Sequence, residues 1–105
     1  MRVHDVFQKR KNCRKVFVYC IVDDDTNHVK VGVTEALVPR LKAVVAASGR
    51  PRLRYHKTCA YPDKRTACMV ERHFHRQLQQ FRLAGEWFSA MALPILDERF
   101  REVYE

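Results

Sequence analysis

The feature that most constrains the fold of this chain is a pair of apolar runs separated by a short polar turn. Residues 16–22 read VFVYCIV, a continuous apolar run rich in β-branched and aromatic side chains. This composition is typical of a strand buried on both faces of its sheet. A polar turn at residues 23–27 and an alternating run at residues 29–33 follow, so the sequence predicts a β-hairpin.

The position of the turn sets which residues of the hairpin face each other. A turn centred between Asp24 and Asp25 predicts that Tyr19 lies opposite Lys30. The two side chains would then share one face of the sheet, which would bring a phenol and an ammonium group together.

The rest of the chain predicts three helices and one more strand. Thr34 can cap a helix with apolar residues along one side. Leu53–Tyr61 alternates loosely in hydrophobicity and predicts a third strand. A long helix should begin after Pro62 and be closed by Gly85, and an amphipathic helix should follow over residues 90–103. The order β-β-α-β-α-α indicates an α+β fold.

The chain is strongly basic, which favours a polyanionic partner. Its 20 Lys and Arg outnumber 12 Asp and Glu, giving a formal net charge of +8, so nucleic acid is the leading partner. We expect a basic arm over residues 1–15 and a single domain over residues 16–105 that includes the C-terminal helix. Since there is no apolar run of about 18 residues and no secretory leader, we expect a soluble cytoplasmic protein without a membrane partner.

The cysteines do not form a recognisable metal or disulfide pattern. None of the four belongs to a C-x-x-C pair, and we interpret them as reduced packing thiols: Cys13, Cys20, Cys59 and Cys68. A zinc site drawn from Cys68, His73 and His75 is the alternative, although their spacing matches no familiar ligand set.

Five separated motifs stand in order along residues 16–88. They are VYCI at residues 18–21, VKVGVT at residues 29–34, Arg40, Glu71 with Phe74-His75, and GEWF at residues 85–88. Together they resemble the GIY-YIG nuclease superfamily, in the phage and bacterial branch whose second motif reads K-I-G. Any one of these motifs alone would be weak evidence, whereas five in the right order are fairly specific.

The resemblance implies a three-stranded antiparallel sheet flanked by helices, with a shallow active site on one face. It also implies a divalent-metal-dependent DNA endonuclease that uses Mg²⁺ or Mn²⁺. Tyr19 matches the tyrosine of the first motif, Gly32 the glycine of the second, Arg40 the helix arginine and Glu71 the metal-binding glutamate. Lys30 stands where many members have a second tyrosine, and their late asparagine has no counterpart here.

These residue types suit phosphodiester hydrolysis. The Glu71 carboxylate is a hard oxygen ligand for Mg²⁺ or Mn²⁺, and the Arg40 guanidinium can hold the scissile phosphate with its planar fork. Tyr19 has an unperturbed pKa of about 10, which is too high for an efficient base. We hypothesise that Lys30 lowers the pKa of Tyr19; the alternative is a core tyrosine and an exposed strand lysine.

Other residues of the motifs are expected to support this site. His75 lies one helical turn beyond Glu71, where it could orient the carboxylate, transfer a proton or contact a phosphate. Gly32 should allow a close approach of the backbone to a phosphate. Trp87 and Phe88 should pack beneath the site. Glu86 could assist the site, although packing is the safer interpretation.

The basic residues predict DNA binding through backbone phosphates, with weak sequence specificity. Whether the DNA is duplex or branched is left open. The candidate phosphate contacts are Lys11, Arg14, Lys15, Lys42, Arg50, Arg52, Arg54, Lys64, Arg65, Arg72 and Arg76.

Two other functional classes stay open, and so does the oligomeric state. The first is a DNA-binding module that keeps the fold without cleavage, which the absence of the second tyrosine and the late asparagine favours. The second is a phage protein that binds a host protein. The C-terminal helix could fold back onto its own domain or join two copies into a dimer.

Overall fold

The computed structural model describes the backbone of residues 15–104 and the side chains of residues 15–100. These residues form a five-stranded antiparallel sheet in the order β3-β1-β2-β5-β4. The predicted basic arm, with Lys11, Cys13 and Arg14, lies outside the described residues except for Lys15. The strands are β1 (Val16–Asp23), β2 (Val29–Thr34), β3 (Leu53–Tyr61), β4 (Arg82–Ala84) and β5 (Trp87–Phe88).

Three α-helices accompany the sheet in the described part of the chain, and the α+β class is confirmed. They are α1 (Leu37–Ser48), α2 (Lys64–Gln77) and α3 (Leu93–Tyr104), and single 3₁₀ turns lie at Gln79–Phe81 and Ala90–Ala92. None of these helices combines the length and apolar character needed to cross a lipid bilayer.

The expectation of a three-stranded sheet was wrong, because the chain after α2 adds two strands. We had expected the long helix to reach Gly85, but α2 ends at Gln77. The spacing of Leu78 and Phe81 looks helical, yet Phe81 belongs to a 3₁₀ turn. Gly85 instead adopts a left-handed φ of 56° in the tight turn between β4 and β5.

The predicted register of the β1–β2 hairpin was also wrong, because each β1 residue pairs two positions further along β2 than expected. Tyr19 lies opposite Gly32, and Lys30 lies opposite Ile21. The shift moves each partner by two positions, so Tyr19 and Lys30 still share a face as diagonal neighbours. The pairing of Val22 with Val29 centres the turn one residue later than we had expected.

The carboxylate and backbone of Asp23 set this longer turn. The Asp23 carbonyl accepts a hydrogen bond from Asn27 N at 2.7 Å, and its carboxylate accepts one from Asp25 N at 2.8 Å. Asn27 adopts a left-handed φ of 62°, which asparagine tolerates better than most residues. The turn therefore closes between Asp23 and His28, whose backbone groups are joined at 2.9 Å.

The sheet has a hydrophobic cluster on each face, and β1 contributes to both, as predicted for a strand buried on both sides. The larger cluster joins the sheet to α2 and α3 through residues such as Val18, Val31, Phe74, Leu96 and Phe100. The smaller cluster lies beneath α1 and contains Tyr19, Ile21 and Val44. Tyr19 is thereby oriented to the same side of the sheet as α1.

The cap of α2 and the three described thiols agree with the expectations, whereas the cap of α1 does not. Asp63 caps α2 by accepting a hydrogen bond from Thr66 N at 2.7 Å. Thr34 does not cap α1, because the helix begins two residues later than we had expected; its hydroxyl accepts from Ala36 N at 3.1 Å. Cys20, Cys59 and Cys68 carry free thiols.

Candidate active site

Tyr19 and Gly32 form the centre of the site. A Cβ atom added to Gly32 would lie 2.6 Å from Cζ of Tyr19 and closer still to its hydroxyl oxygen. The tyrosine ring therefore makes a close approach to Gly32, and the approach of a phosphate there stays a prediction. The ring of Tyr55 meets that of Tyr19 edge-on, with 5.6 Å between their centroids. These contacts hold the phenol in one position.

Burial raises the pKa of Tyr19 to about 12. The positive charge of Arg40 acts in the opposite direction, and the negative charges of Glu86 and Glu71 add to the rise. Lys30 is not among the groups that set the pKa of Tyr19, and its ammonium group is paired with Glu86. At neutral pH the phenol is therefore protonated and can donate a hydrogen bond.

The Lys30 side chain, which projects from β2, instead contacts Glu86 in the turn between β4 and β5. Its Nζ atom donates a hydrogen bond to Oε1 of Glu86 at 2.5 Å, forming an ion pair across 56 positions of sequence. This contact depends on the pairing of Lys30 with Trp87 in the sheet, because that pairing brings Glu86 next to β2. Glu86 was not assigned to the site from the sequence, since the long helix expected to reach Gly85 concealed the strand pairing.

Glu71, His75 and Glu86 form a cluster able to hold a metal ion. One ligand atom from each residue lies within 4.8 Å of the other two. Glu71 and His75 lie one turn apart on α2, as predicted, and Glu86 approaches from the β4–β5 turn. Cys68 and His73 do not belong to this cluster, which removes the alternative zinc site.

The His75 ring is held by a backbone carbonyl of β2 that has no partner strand in the described sheet. Nε2 of His75 lies 2.9 Å from the carbonyl oxygen of Val31. This carbonyl is accessible because β5 pairs with β2 only at Val29 and Lys30. If Nε2 carries the proton, it donates to Val31, and Nδ1 keeps a lone pair for a metal. Phe88 packs edge-on against the same ring, with 5.3 Å between centroids.

The electrostatics of the cluster suit a cation. Burial raises the pKa of Glu71, and the negative charge of Glu86 raises it further. His75, Lys30 and Arg72 act in the opposite direction. Two carboxylates and an imidazole form a donor set that fits a divalent ion, and the imidazole suits Mn²⁺ better than Mg²⁺. The residues present therefore fit the Mg²⁺ or Mn²⁺ ion that the resemblance implies, and binding of the ion stays a prediction.

Arg40 lies in the first turn of α1, on a different helix from Glu71 and His75. The Arg40 side chain is exposed and makes no hydrogen bond or ion pair with another described side chain. Its charge acts on Tyr19, which places the guanidinium near the phenol. Arg40 also lines a cleft of about 320 Å³, together with Lys30, Ala43, Val44, Ala47, Ser48 and Trp87.

The other basic residues divide into two groups. The side chains of Lys42, Arg72 and Arg76 are exposed and form no hydrogen bond or ion pair with another side chain of residues 15–100. Lys15, Lys64 and Arg65 are also exposed. Three arginines expected to contact phosphates pair with the aspartates of the hairpin turn: Arg50 with Asp23 at 2.9 Å, Arg54 with Asp24 at 3.0 Å and Arg52 with Asp25 at 3.6 Å.

No curated protein and no solved structure matches this chain. The T5orf172 domain family matches residues 16–104, a range that holds the whole described sheet and the candidate site. The chain therefore belongs to the T5orf172 domain family, a domain found in phage and bacterial proteins and related to nuclease-like folds.

Proposed function

We propose that this protein is a GIY-YIG-type DNA endonuclease that hydrolyses phosphodiester bonds with a divalent metal ion and low intrinsic sequence specificity. One observation carries the proposal: the charges of Arg40 and Glu71, which are far apart in the chain, both act on the Tyr19 phenol. A phenol, a guanidinium and a metal-binding carboxylate are the groups that phosphoryl transfer requires.

Each residue has a distinct task in the proposed reaction. Glu71 would bind the metal, with His75 and Glu86 within reach of the same ion. A bound Mg²⁺ or Mn²⁺ ion would supply Lewis acidity and neutralise the charge that develops on the leaving oxygen. Arg40 would hold the scissile phosphate through its planar fork. With its raised pKa, Tyr19 would donate a hydrogen bond to the phosphate or to the attacking water.

Lys30 and Glu86 would control the charge of the metal cluster. Their ion pair places the Lys30 ammonium group beside the carboxylates of the cluster. Lys30 also lines the cleft together with Arg40, so its ammonium group would be able to contact a phosphate oxygen held by Arg40.

A plasmid-nicking assay tests the proposal. Supercoiled plasmid should be nicked with Mg²⁺ or Mn²⁺ and left intact with EDTA. Glu71→Ala should lower the rate by about 100-fold or more, a loss typical of removing an essential charge-stabilising group. Glu98→Ala is the control, because Glu98 is an exposed α3 carboxylate outside the cluster. Equal nicking by Glu71→Ala, or undiminished nicking in EDTA, would rule out metal-dependent cleavage at this site.

The raised pKa of Tyr19 favours a second candidate, a DNA-binding module without nuclease activity. A phenol with a pKa of about 12 is a poor base at neutral pH. Such a module would bind the plasmid and leave it intact under every metal condition. The binding arm of the same assay, measured by gel shift, separates the two candidates.

A further inference from the structure

The cleft beside the candidate active site is large enough for part of a nucleotide. It has a volume of about 320 Å³ and opens between α1 and the strands β2 and β5. This volume lies at the lower end of the range for small-molecule sites, about 300–1,000 Å³. Val44, which lines the cleft, packs in the same cluster as Tyr19 and Ile21, so the cleft adjoins the buried phenol.

The lining of the cleft combines apolar surface with positive charge. Ala43, Val44 and Ala47 offer small apolar side chains, while Lys30 and Arg40 are cationic. This combination fits a flat aromatic group attached to a phosphate. A nucleobase supplies the aromatic ring, and its own backbone supplies the phosphate.

Trp87 adds an aromatic wall that the hairpin turn holds in place. The guanidinium carbon of Arg50 lies 4.1 Å from the centroid of the Trp87 ring. Arg50 is itself fixed by an ion pair with the buried carboxylate of Asp23 at 2.9 Å. The indole is therefore immobilised before any ligand arrives, which lowers the entropic cost of packing a ring against it.

We propose that the cleft binds one unstacked nucleobase of the DNA strand whose phosphate is held by Arg40. The inference rests on the proposed function and specifies its substrate, DNA with an unpaired base. A base inside an intact duplex is stacked on its neighbours and cannot enter a cleft on a protein surface unless it is extruded. A base that is already unpaired avoids most of that cost, so bulged or branched DNA is preferred to perfect duplex.

A binding experiment in EDTA tests this inference without any cleavage. Three fluorescent duplexes of the same sequence are compared: one fully paired, one with a single-base bulge, and one with an abasic residue at the bulge. We expect the bulged duplex to bind about tenfold more tightly than the abasic one, as expected for stacking of one base. Fluorescence anisotropy measures the three dissociation constants.

Matched substitutions on α1 locate the effect in the cleft. Ala47→Leu and, independently, Ala43→Leu fill the cleft with a larger side chain and should abolish the preference for the bulged duplex. Ala46→Leu is the control, since Ala46 is exposed on the same helix and does not line the cleft. Alanine and leucine are both good helix formers, so the three variants should keep the fold.

The fluorescence of Trp87 gives a second signal, because it is the one tryptophan of the chain. The bulged duplex should quench this fluorescence more than the abasic duplex does. Equal affinity of the wild-type protein for these two duplexes would overturn the inference and leave the proposed nuclease intact if plasmid is still nicked. A preference for the bulged duplex without any nicking would support the base site and overturn the nuclease instead. Failure to bind any duplex would overturn the base site, whereas plasmid nicking decides the nuclease separately.

Discussion

At the scale of single residues, Gly32 has its effect through Tyr19. The tyrosine ring covers the Cα of Gly32, and the ring cannot retreat because it is 1% exposed and packed against Tyr55. A strand glycine usually weakens a sheet, yet here its missing side chain is what allows the phenol to lie across the strand. The conformation of the candidate site therefore depends on a backbone position that makes no chemical contribution of its own.

Gly32→Ala should destabilise the protein by about 1–3 kcal/mol, because the new methyl group overlaps the Tyr19 ring. Urea unfolding measures the loss. The same substitution in a Tyr19→Leu background should cost less, since the side chain that it overlaps is then smaller and more flexible. Purely additive effects of the two substitutions would contradict the contact.

Arg40→Ala should slow plasmid nicking by about 100-fold, because the scissile phosphate loses its guanidinium partner. Arg40→Lys should recover only part of the rate, since an ammonium group lacks the planar fork. The charge control is Lys57→Ala, which removes one exposed positive charge from β3. Single-turnover rates at saturating protein separate this effect from weaker binding, and equal rates for Arg40→Ala and Lys57→Ala would exclude a specific role for Arg40.

At the scale of elements, the β1–β2 turn contacts the cleft through Arg50, which pairs with Asp23 of the turn and packs on Trp87 of the cleft. Burial alone would raise the pKa of Asp23, but its hydrogen bonds from the Asp25 amide, the Arg50 guanidinium and the Thr26 hydroxyl hold this pKa below its usual value. The same arginine packs on Trp87. One buried carboxylate thus orders both the turn and a wall of the cleft.

Asp23→Asn should destabilise the fold at neutral pH by about 1–3 kcal/mol, the range for losing charged hydrogen bonds of a buried group. Because the pKa of Asp23 is lowered by folding, its contribution is complete above the unfolded pKa of about 4 and is lost as pH falls through the folded value. Urea unfolding between pH 7 and pH 3 should therefore show a smaller acid-induced loss in Asp23→Asn than in the wild type. Asp24→Asn is the control, since its ion pair with Arg54 is more exposed and should contribute less than about 1 kcal/mol.

At the scale of the whole molecule, the net charge of +8 should dominate DNA affinity. The logarithm of the binding constant should fall linearly with the logarithm of salt concentration, with a slope of about −0.9 for each neutralised phosphate. Arg76→Ala should reduce the magnitude of this slope by about that amount if Arg76, which is exposed, contacts a phosphate. The slope should be the same for unrelated DNA sequences, and a flat salt dependence would contradict electrostatic binding.

Metal binding should stabilise the whole molecule, because the three ligands come from α2 and the β4–β5 turn and converge only in the folded state. Mn²⁺ at about tenfold above its dissociation constant should add about 1.4 kcal/mol to the free energy of unfolding. Thermal unfolding should show a rise in Tm for the wild type and for Glu98→Gln, but not for Glu71→Gln. A rise of equal size in Glu71→Gln would place the ion elsewhere.

Local spacing in the sequence determined the first three strands, the three helices and the buried nature of β1. These features depend on side-chain periodicity and on caps such as Asp63, which act over a few residues. The motifs likewise determined which residues to consider for the site, including Tyr19, Arg40 and Glu71. Whether those residues act in DNA cleavage stays a prediction.

Only the tertiary structure decided the register of the hairpin, the fourth and fifth strands and the place of Glu86 in the metal cluster. The register depended on the backbone of a four-residue turn, in which Asn27 takes a left-handed conformation. The two-residue strand β5 is too short to have a recognisable period and forms because β2 offers it an edge. Glu86 meets Lys30 across 56 positions. Contacts at such distances are set by the packing of the whole chain and leave no pattern in neighbouring residues.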